Sequence, residues 1–172
     1  MNSAGKNEKK ERLRIDTGAA KVQSSPNRGV IIQPLIGIID DNREIKFGIS
    51  QNDLKAILGK PFRVIIDNIL NQTKEIRSSS EFIFEKKKLV NIDFFPNVDL
   101  FINNINLFET ENVIEKLSEF DFPTKEWKNG YINFYNLGIS MGGFGKRKIP
   151  EKKVIRIFSK ERIQFYEFFL KV

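Results

Sequence analysis

Apolar residues recur mostly at every second position through the last third of the chain, from residue 130 to 172. A period of two places successive side chains on opposite faces of an extended backbone, as a half-buried β-strand requires. A Gly- and Lys-rich turn divides the pattern, which therefore predicts three or four antiparallel strands. The apolar positions are Ile132, Phe134, Leu137, Ile139, Met141, Val154, Ile155, Ile157, Ile163, Phe165, Phe168 and Leu170.

Shorter segments of the same kind lie upstream. Residues 30–39 form a dense apolar run that Pro34 interrupts, and because proline has no amide donor, this favours an edge strand or two short strands. An Asp-Asp-Asn turn then leads into the alternating residues 44–49, which predicts a hairpin. A second hairpin is predicted over residues 81–95, and residues 98–108 continue the strand pattern.

Two stretches carry apolar residues at helical spacing instead. The first begins at Ser50, whose hydroxyl is placed to accept a hydrogen bond from the Asp53 amide, and it stops at Gly59. The second covers residues 109–120 and has an acidic outer face. These two short helices are the layer that can cover the apolar face of the sheet.

Two intervening segments are less regular. The apolar run of residues 62–70 fits a strand or a further helix, and its interruption by Asp67 and Asn68 slightly favours a helix or irregular packing. Residues 72–80 are mostly polar, and this predicts a loop.

The combined pattern predicts an α+β fold, an antiparallel sheet with two short helices packed on one face. A strand, a short helix and a strand group occur twice in succession, which raises the hypothesis of a tandem repeat. Residues 1–29 are polar and basic and are predicted to be a disordered leader or linker. Residues 30–172 are predicted to form one domain, or two subdomains, 30–97 and 98–172. The predicted shared core is Leu54, Leu58, Phe82, Phe84, Ile92, Val113, Leu117, Ile157 and Phe165.

Composition narrows the available chemistry. The 172 residues include neither cysteine nor histidine. This excludes disulfides, thiolate zinc sites, Ser-His or Cys-His catalysis and two-histidine metalloprotease sites. Carboxylate, lysine, tyrosine and backbone chemistry remain, and no cofactor is predicted.

The net charge of +7 is unevenly distributed. Residues 1–29 carry seven Lys or Arg against three Asp or Glu, whereas residues 30–172 carry twenty-two against nineteen. More than half of the excess lies in the leader. The net charge therefore does not by itself predict a broad polyanion-binding surface.

Several short segments within residues 44–172 are the basis of a family resemblance. They are Leu58-Gly59-Lys60-Pro61, Phe82-Ile83-Phe84, Leu89-Val90-Asn91-Ile92, the strand with Tyr131 and Phe134, and Leu137-Gly138-Ile139. Their pattern resembles small domains of the beta-lactamase-inhibitory-protein and outer-membrane-assembly-lipoprotein type, and immunity proteins that neutralise bacterial polymorphic toxins. The resemblance implies a non-enzymatic protein that binds and blocks another protein in the bacterial cytoplasm, with no membrane partner.

The same role is predicted to use an interface with aromatic anchors and a charged rim. The basic residues also leave open a nucleic-acid-binding surface that holds phosphates and stacks bases. The candidate binding residues are Trp127, Phe144, Lys146, Arg147, Lys148, Lys152, Lys153 and Arg156.

A catalytic alternative rests on carboxylates. Asp67, Glu85 and Lys87 follow the order of acidic and basic residues in magnesium-dependent nucleases, where two carboxylates hold the metal and a lysine steadies the attacking water. A charged hairpin turn is the simpler interpretation of Glu85 and Lys87.

Overall fold

The computed structural model describes residues 29–125, 130–145 and 152–169. Within these residues, twelve strands form two sheets, and three short helices complete the architecture. The predicted α+β class is confirmed, with sheet predominating. The predicted leader lies outside the described residues, except for Gly29.

The smaller sheet has five strands in the order β3-β2-β1-β8-β9. Strand β1 pairs in parallel with β8, and the other pairs are antiparallel. Of the two alternatives predicted for residues 30–39, two short strands are observed, and the hairpin predicted through the Asp-Asp-Asn turn is confirmed as β2 and β3. The strands are β1 (Val30–Gln33), β2 (Gly37–Asp40), β3 (Arg43–Lys46), β8 (Leu100–Ile102) and β9 (Ile105–Asn106).

The larger sheet is antiparallel throughout and has the order β10-β11-β12-β7-β6-β5-β4. The predicted hairpin over residues 81–95 is confirmed as β6 and β7. The strands are β4 (Arg63–Asp67), β5 (Gln72–Arg77), β6 (Ser80–Glu85), β7 (Lys88–Phe94), β10 (Tyr131–Phe134), β11 (Ile139–Gly142) and β12 (Val154–Phe158).

The helices are α1 (Gln51–Leu58), α2 (Val113–Leu117) and α3 (Ile163–Phe169), the last preceded by a 3-10 turn. The predicted N-cap of α1 is confirmed. Ser50 Oγ accepts from the Asp53 amide at 3.2 Å, and the Asp53 carboxylate accepts from the Ser50 amide at 3.3 Å. This reciprocal pair satisfies two amides that a helix start leaves without intrahelical partners.

One core cluster draws side chains from both sheets and from α1 and α2. Strands β1, β2, β3 and β8 contribute aliphatic residues, and the larger sheet contributes phenylalanines and isoleucines. The predicted core is confirmed apart from two positions: Leu58 is only partly buried and Phe165 is 41% exposed. Fully buried members include Ile38, Ile45, Leu54, Phe84, Ile92, Leu100, Leu117, Phe134 and Ile139.

Residues 62–80 differ from the sequence-based expectation, because β4 and β5 replace the predicted helix and loop. The Asp67 carboxylate accepts from the amides of Ile69 and Leu70, both at 3.0 Å, and so closes the turn between the two strands. Strand β5 is polar, yet it is flanked by a strand on each side. Backbone pairing on both edges therefore outweighs its weak strand propensity.

The last predicted strand is also wrong, because residues 163–169 form α3. Ile163 and Phe165 are two positions apart, as on one face of a strand, whereas Ile163 and Tyr166 are three apart, as on one side of a helix, so the sequence alone is ambiguous there. The helix is held by tertiary contacts: the Tyr166 ring packs 4.4 Å from the ring of Phe158, and Arg162 pairs with Glu85 at 2.8 Å.

Helix α3 lies over the outer face of the larger sheet, where Tyr166 is partly buried beside Arg156. Burial raises the pKa of the Tyr166 phenol above its ordinary value, against the opposing positive charge of Arg156. A raised pKa in the folded state means that ionisation opposes folding. The contribution of the neutral Tyr166 phenol to stability is complete below its ordinary pKa of about 10. This contribution is lost as the pH rises through the pKa of Tyr166 in the folded state.

We therefore expect the free energy of unfolding to decline above about pH 10, and to decline less steeply in Tyr166→Phe. Urea unfolding of both proteins at a series of alkaline pH values measures this difference. The value at neutral pH serves as the internal reference for each protein. Parallel pH profiles for the two proteins would contradict the conclusion that Tyr166 causes the alkaline loss of stability.

Candidate binding surfaces

Two phenylalanines stand exposed on the segment that follows α2. Phe120 is 49% exposed and Phe122 is 89% exposed, whereas Asp121 between them is only 6% exposed. We call residues 120–122 the aromatic loop. Large apolar groups exposed together are unusual on a protein that acts alone, and they are typical of an interaction site.

The buried Asp121 fixes this loop to the turn between β10 and β11. Its Oδ2 accepts from the amides of Asn136 and Leu137 at 2.7 and 3.2 Å, and its Oδ1 accepts from the side-chain amide of Asn136 at 2.7 Å. Hydrogen bonds to a charged acceptor are stronger than those between neutral groups. One side chain therefore anchors the middle of the loop.

Both ends of the segment are also bonded to regular structure. On the helix side, the Leu117 carbonyl accepts from the amides of Phe120 and Asp121 at 3.0 and 3.1 Å. On the far side, Thr124 exchanges two hydrogen bonds with Asn133 of β10, of 2.9 and 3.0 Å. The backbone that carries the two phenyl rings is thus hydrogen-bonded to regular structure at both ends, which lowers the cost of ordering it on binding.

The exposed charges close to the aromatic loop along the chain include more carboxylates than lysines. Glu111, Glu115 and Glu119 are exposed on and around α2, and Lys116 and Lys125 are the exposed lysines of the same stretch. Exposed carboxylates around an apolar centre match the anatomy of a protein interface, where an apolar core is surrounded by a polar rim. Their sign favours a partner with basic groups around an apolar pocket.

The sequence pattern does not predict the aromatic loop. The apolar stripe predicted for residues 109–120 includes Phe120, but α2 ends at Leu117. The signal available in the sequence is the order Phe120-Asp121-Phe122 before Pro123, in which two phenylalanines flank an acidic residue just past the end of the helix. The predicted anchor Trp127 follows five residues after Phe122 and lies outside the described residues.

Phe144, a predicted exposed anchor, is buried, with only 9% of its surface accessible. Its ring centroid lies 6.1 Å from that of Phe108, and Lys153 Nζ stands 4.8 Å above the ring. The preceding Gly143 adopts a φ of +78°, a backbone conformation that residues with a side chain rarely adopt. This conformation turns Phe144 back against the core. The prediction that Phe144 is an exposed anchor is therefore wrong.

The predicted basic residues are only partly accessible to a ligand. Arg156 forms a two-pronged ion pair with the buried Asp93, with Nε–Oδ1 and Nη2–Oδ2 distances of 2.6 and 2.5 Å. Burial alone would lower the pKa of Arg156, but the hydrogen bond and charge of Asp93 outweigh burial and raise it. Arg156 is thus engaged within the fold, and its role in binding stays a prediction.

The remaining basic candidates divide into two groups. Lys152 is exposed, and Lys153 is half-buried over Phe144. Lys146, Arg147 and Lys148 lie outside the described residues. The described part of the chain thus presents only Lys152 and Lys153 of the predicted set to a ligand.

The residues of the catalytic alternative are not brought together. Asp67 and Glu85 sit in one row across the sheet with Gln72 between them, and two strand spacings amount to about 9–10 Å. The Asp67 carboxylate holds its own turn, and the Glu85 carboxylate accepts from Gln72 at 2.6 Å and pairs with Arg162. Lys87 is exposed in the β6–β7 turn with a φ of +65°.

A cleft of about 340 Å³ opens between the two sheets. Its lining includes the buried apolar side chains of Ile38, Phe82 and Phe94, together with Arg77. The Arg77 guanidinium donates to the carbonyls of Leu58 and Gly59 at 3.3 and 3.1 Å. Arg77 therefore ties the end of α1 to β5.

Comparison of the chain with models of protein families, with curated proteins and with solved structures found no match. None of the helices in the described residues is long and apolar enough to cross a membrane.

Proposed function

We propose that this chain is a non-enzymatic protein that binds and inhibits another protein, and specifically an immunity protein that neutralises a toxin in the bacterial cytoplasm. The observation that supports the proposal is the aromatic loop, in which Phe120 and Phe122 are exposed around an anchored Asp121. The choice of a toxin as the partner rests in addition on the resemblance of the sequence to immunity proteins.

The rigidity of the loop is what makes it suited to inhibition. Ordering a flexible loop on binding costs free energy, and a loop already held at Asp121, Leu117 and Thr124 avoids much of that cost. Aromatic side chains bury a large area while losing few rotamers, which is why they dominate binding energy at interfaces. A tight and specific complex is therefore favoured.

The chemistry of the partner follows from the charges. Glu115 and Glu119 are exposed beside the aromatic loop. A toxin surface with an apolar pocket and basic groups around it would receive the two rings and pair with the carboxylates. Such a surface is also what a toxin that acts on nucleic acid would present to its substrate.

The central test is the affinity of Phe122→Ala for the proposed toxin, sought among the proteins encoded by the neighbouring genes of the host. Wild type should co-purify with that toxin and suppress its toxicity on co-expression. Because truncating a central aromatic anchor typically costs about 2 kcal/mol or more, Phe122→Ala should bind about 30-fold more weakly by calorimetry. The thermal midpoint should be unchanged, since the side chain is exposed.

Phe168→Ala is the matched control, because Phe168 is a 66% exposed phenylalanine on α3. Its affinity for the toxin should equal that of wild type. Equal affinity of Phe122→Ala and wild type would contradict the role of the aromatic loop. Magnesium-dependent cleavage of DNA or RNA by the purified protein, abolished by Glu85→Gln, would contradict the inhibitory function itself.

A further inference from the structure

A second apolar surface lies at the other end of the larger sheet, around β4. Five large apolar residues are exposed there within nine positions of the sequence. We call them the edge patch. They are Phe62, Val64, Ile66, Ile69 and Leu70, with exposures of 83%, 48%, 69%, 95% and 60%.

Strand β4 is the last strand of the sheet. It pairs with β5 along one edge, and its other edge pairs with no strand of the described residues. An exposed apolar edge is a template for pairing with another strand, and proteins usually protect such edges with lysines, prolines or bulges. The middle of β4 is Val64-Ile65-Ile66 and contains none of the protecting residue types.

The sequence of β4 is complementary to itself when two copies run antiparallel. The strand reads Arg63-Val64-Ile65-Ile66-Asp67. A two-fold axis at Ile65 places Arg63 of each copy opposite Asp67 of the other. It also places Val64 of each copy opposite Ile66 of the other. Each charge therefore meets its opposite and each apolar residue meets an apolar residue, which is the arrangement that stabilises cross-strand pairs.

Other arrangements lack this match. Parallel pairing in register would put Arg63 against Arg63 and Asp67 against Asp67, and like charges directly opposite each other are destabilising. A shift of one residue in the antiparallel register would move the apolar side chains to opposite faces of the sheet. The charges at the two ends of β4 thus select one partner strand, one direction and one register.

From this complementarity we propose that two copies of the chain pair through β4 to form a symmetric dimer. The two larger sheets then become one continuous sheet of twice seven strands. The edge patches of the two copies meet beside the two-fold axis, where Phe62, Ile69 and Leu70 extend the apolar contact beyond the strand pair. The interface is isologous and therefore closed, which prevents further growth by the same edge.

The dimer goes beyond the proposed inhibitory function and does not depend on it. The aromatic loop is bonded to β10 and the β10–β11 turn, at the opposite edge of the same sheet from β4. Pairing through β4 therefore leaves both aromatic loops at the outer ends of the dimer. Each copy can bind its own partner.

The test uses charge reversal in the full-length chain, with the mass in solution as the readout. Wild type should sediment at twice the 20.0 kDa of one chain. Arg63→Asp places Asp against Asp at both ends and should be monomeric, and Asp67→Arg places Arg against Arg and should also be monomeric. An equimolar mixture of the two variants should recover the dimer mass, because each copy then supplies the charge that the other needs.

Asp67 also closes the β4–β5 turn, so circular dichroism must show that its variant is folded. If it is not, Ile66→Lys serves instead, because this substitution puts a charge into the apolar centre of the interface and should halve the mass. Phe122→Ala is the control and should remain dimeric. A monomeric wild type, a dimer that survives Ile66→Lys, or a mixture of folded charge variants that stays monomeric would each overturn the proposal.

Discussion

Asp93→Ala should lower the free energy of unfolding by about 3 kcal/mol, since removing one partner of a buried ion pair leaves the other charge uncompensated. The side chain of Asp93 is 6% exposed and that of Arg156 is 28% exposed. The guanidinium would remain beneath α3 with burial opposing its charge and no carboxylate to offset it. Urea unfolding followed by circular dichroism measures the change.

A surface ion pair of the same chain provides the control. Lys46 and Glu44 lie 3.1 Å apart with side chains 57% and 48% exposed. Water and salt screen such a pair, so Glu44→Ala should cost less than about 1 kcal/mol. Asp93→Asn should fall between the two, because the amide oxygen still accepts a hydrogen bond but carries no charge. Equal costs for Asp93→Ala and Glu44→Ala would show that the Asp93 pair is not structural.

Leu117→Ala should cost about 2–5 kcal/mol, through lost burial and the cavity left in a close-packed core. Leu117 is 0% exposed and belongs to the core cluster shared by the two sheets. It is also the last residue of α2, and its carbonyl holds the start of the aromatic loop. The same urea experiment measures the cost.

Lys116→Ala is the neighbouring control, because Lys116 is exposed on the same short helix and alanine is a strong helix former. It should leave the free energy of unfolding nearly unchanged. A cost near zero for Leu117→Ala as well would mean that α2 does not pack on the core as the structure indicates.

The two binding proposals use separate parts of the molecule and can be tested independently. Phe122 belongs to a loop bonded to β10, whereas Phe62 and Ile66 belong to the edge patch around β4. Phe122→Ala should weaken inhibition and leave the dimer intact, and Ile66→Lys should do the reverse. Failure of one proposal therefore leaves the other standing.

Whether the two halves of the chain are a repeat stays a prediction. Helix α1 leads into β4–β7 and α2 leads into β10–β12, and both strand groups belong to the larger sheet. The core cluster is shared between residues 30–97 and residues 98–172.

The sequence by itself determined the elements whose signals are local. Alternation over residues 81–95 and in the segments of β10, β11 and β12 specified strands, since the period of two directly reflects burial on one face. The start of α1 was equally clear, because its capping side chains lie within one helical turn. The lack of cysteine and histidine limits the available chemistry whatever the fold, because no arrangement of the chain can supply a thiolate or an imidazole.

Only the tertiary structure decided the features that depend on distant neighbours. Strand β5 exists because β4 and β6 pair with it on both edges, and α3 is held by Phe158 and Glu85. Whether a candidate side chain is buried or exposed also depends on its neighbours in the folded protein. Arg156 was drawn into the fold by Asp93, 63 positions away, and Phe122 was exposed because Asp121 anchors its loop. Such pairings are set by packing and charge in three dimensions, and no period along the sequence reports them.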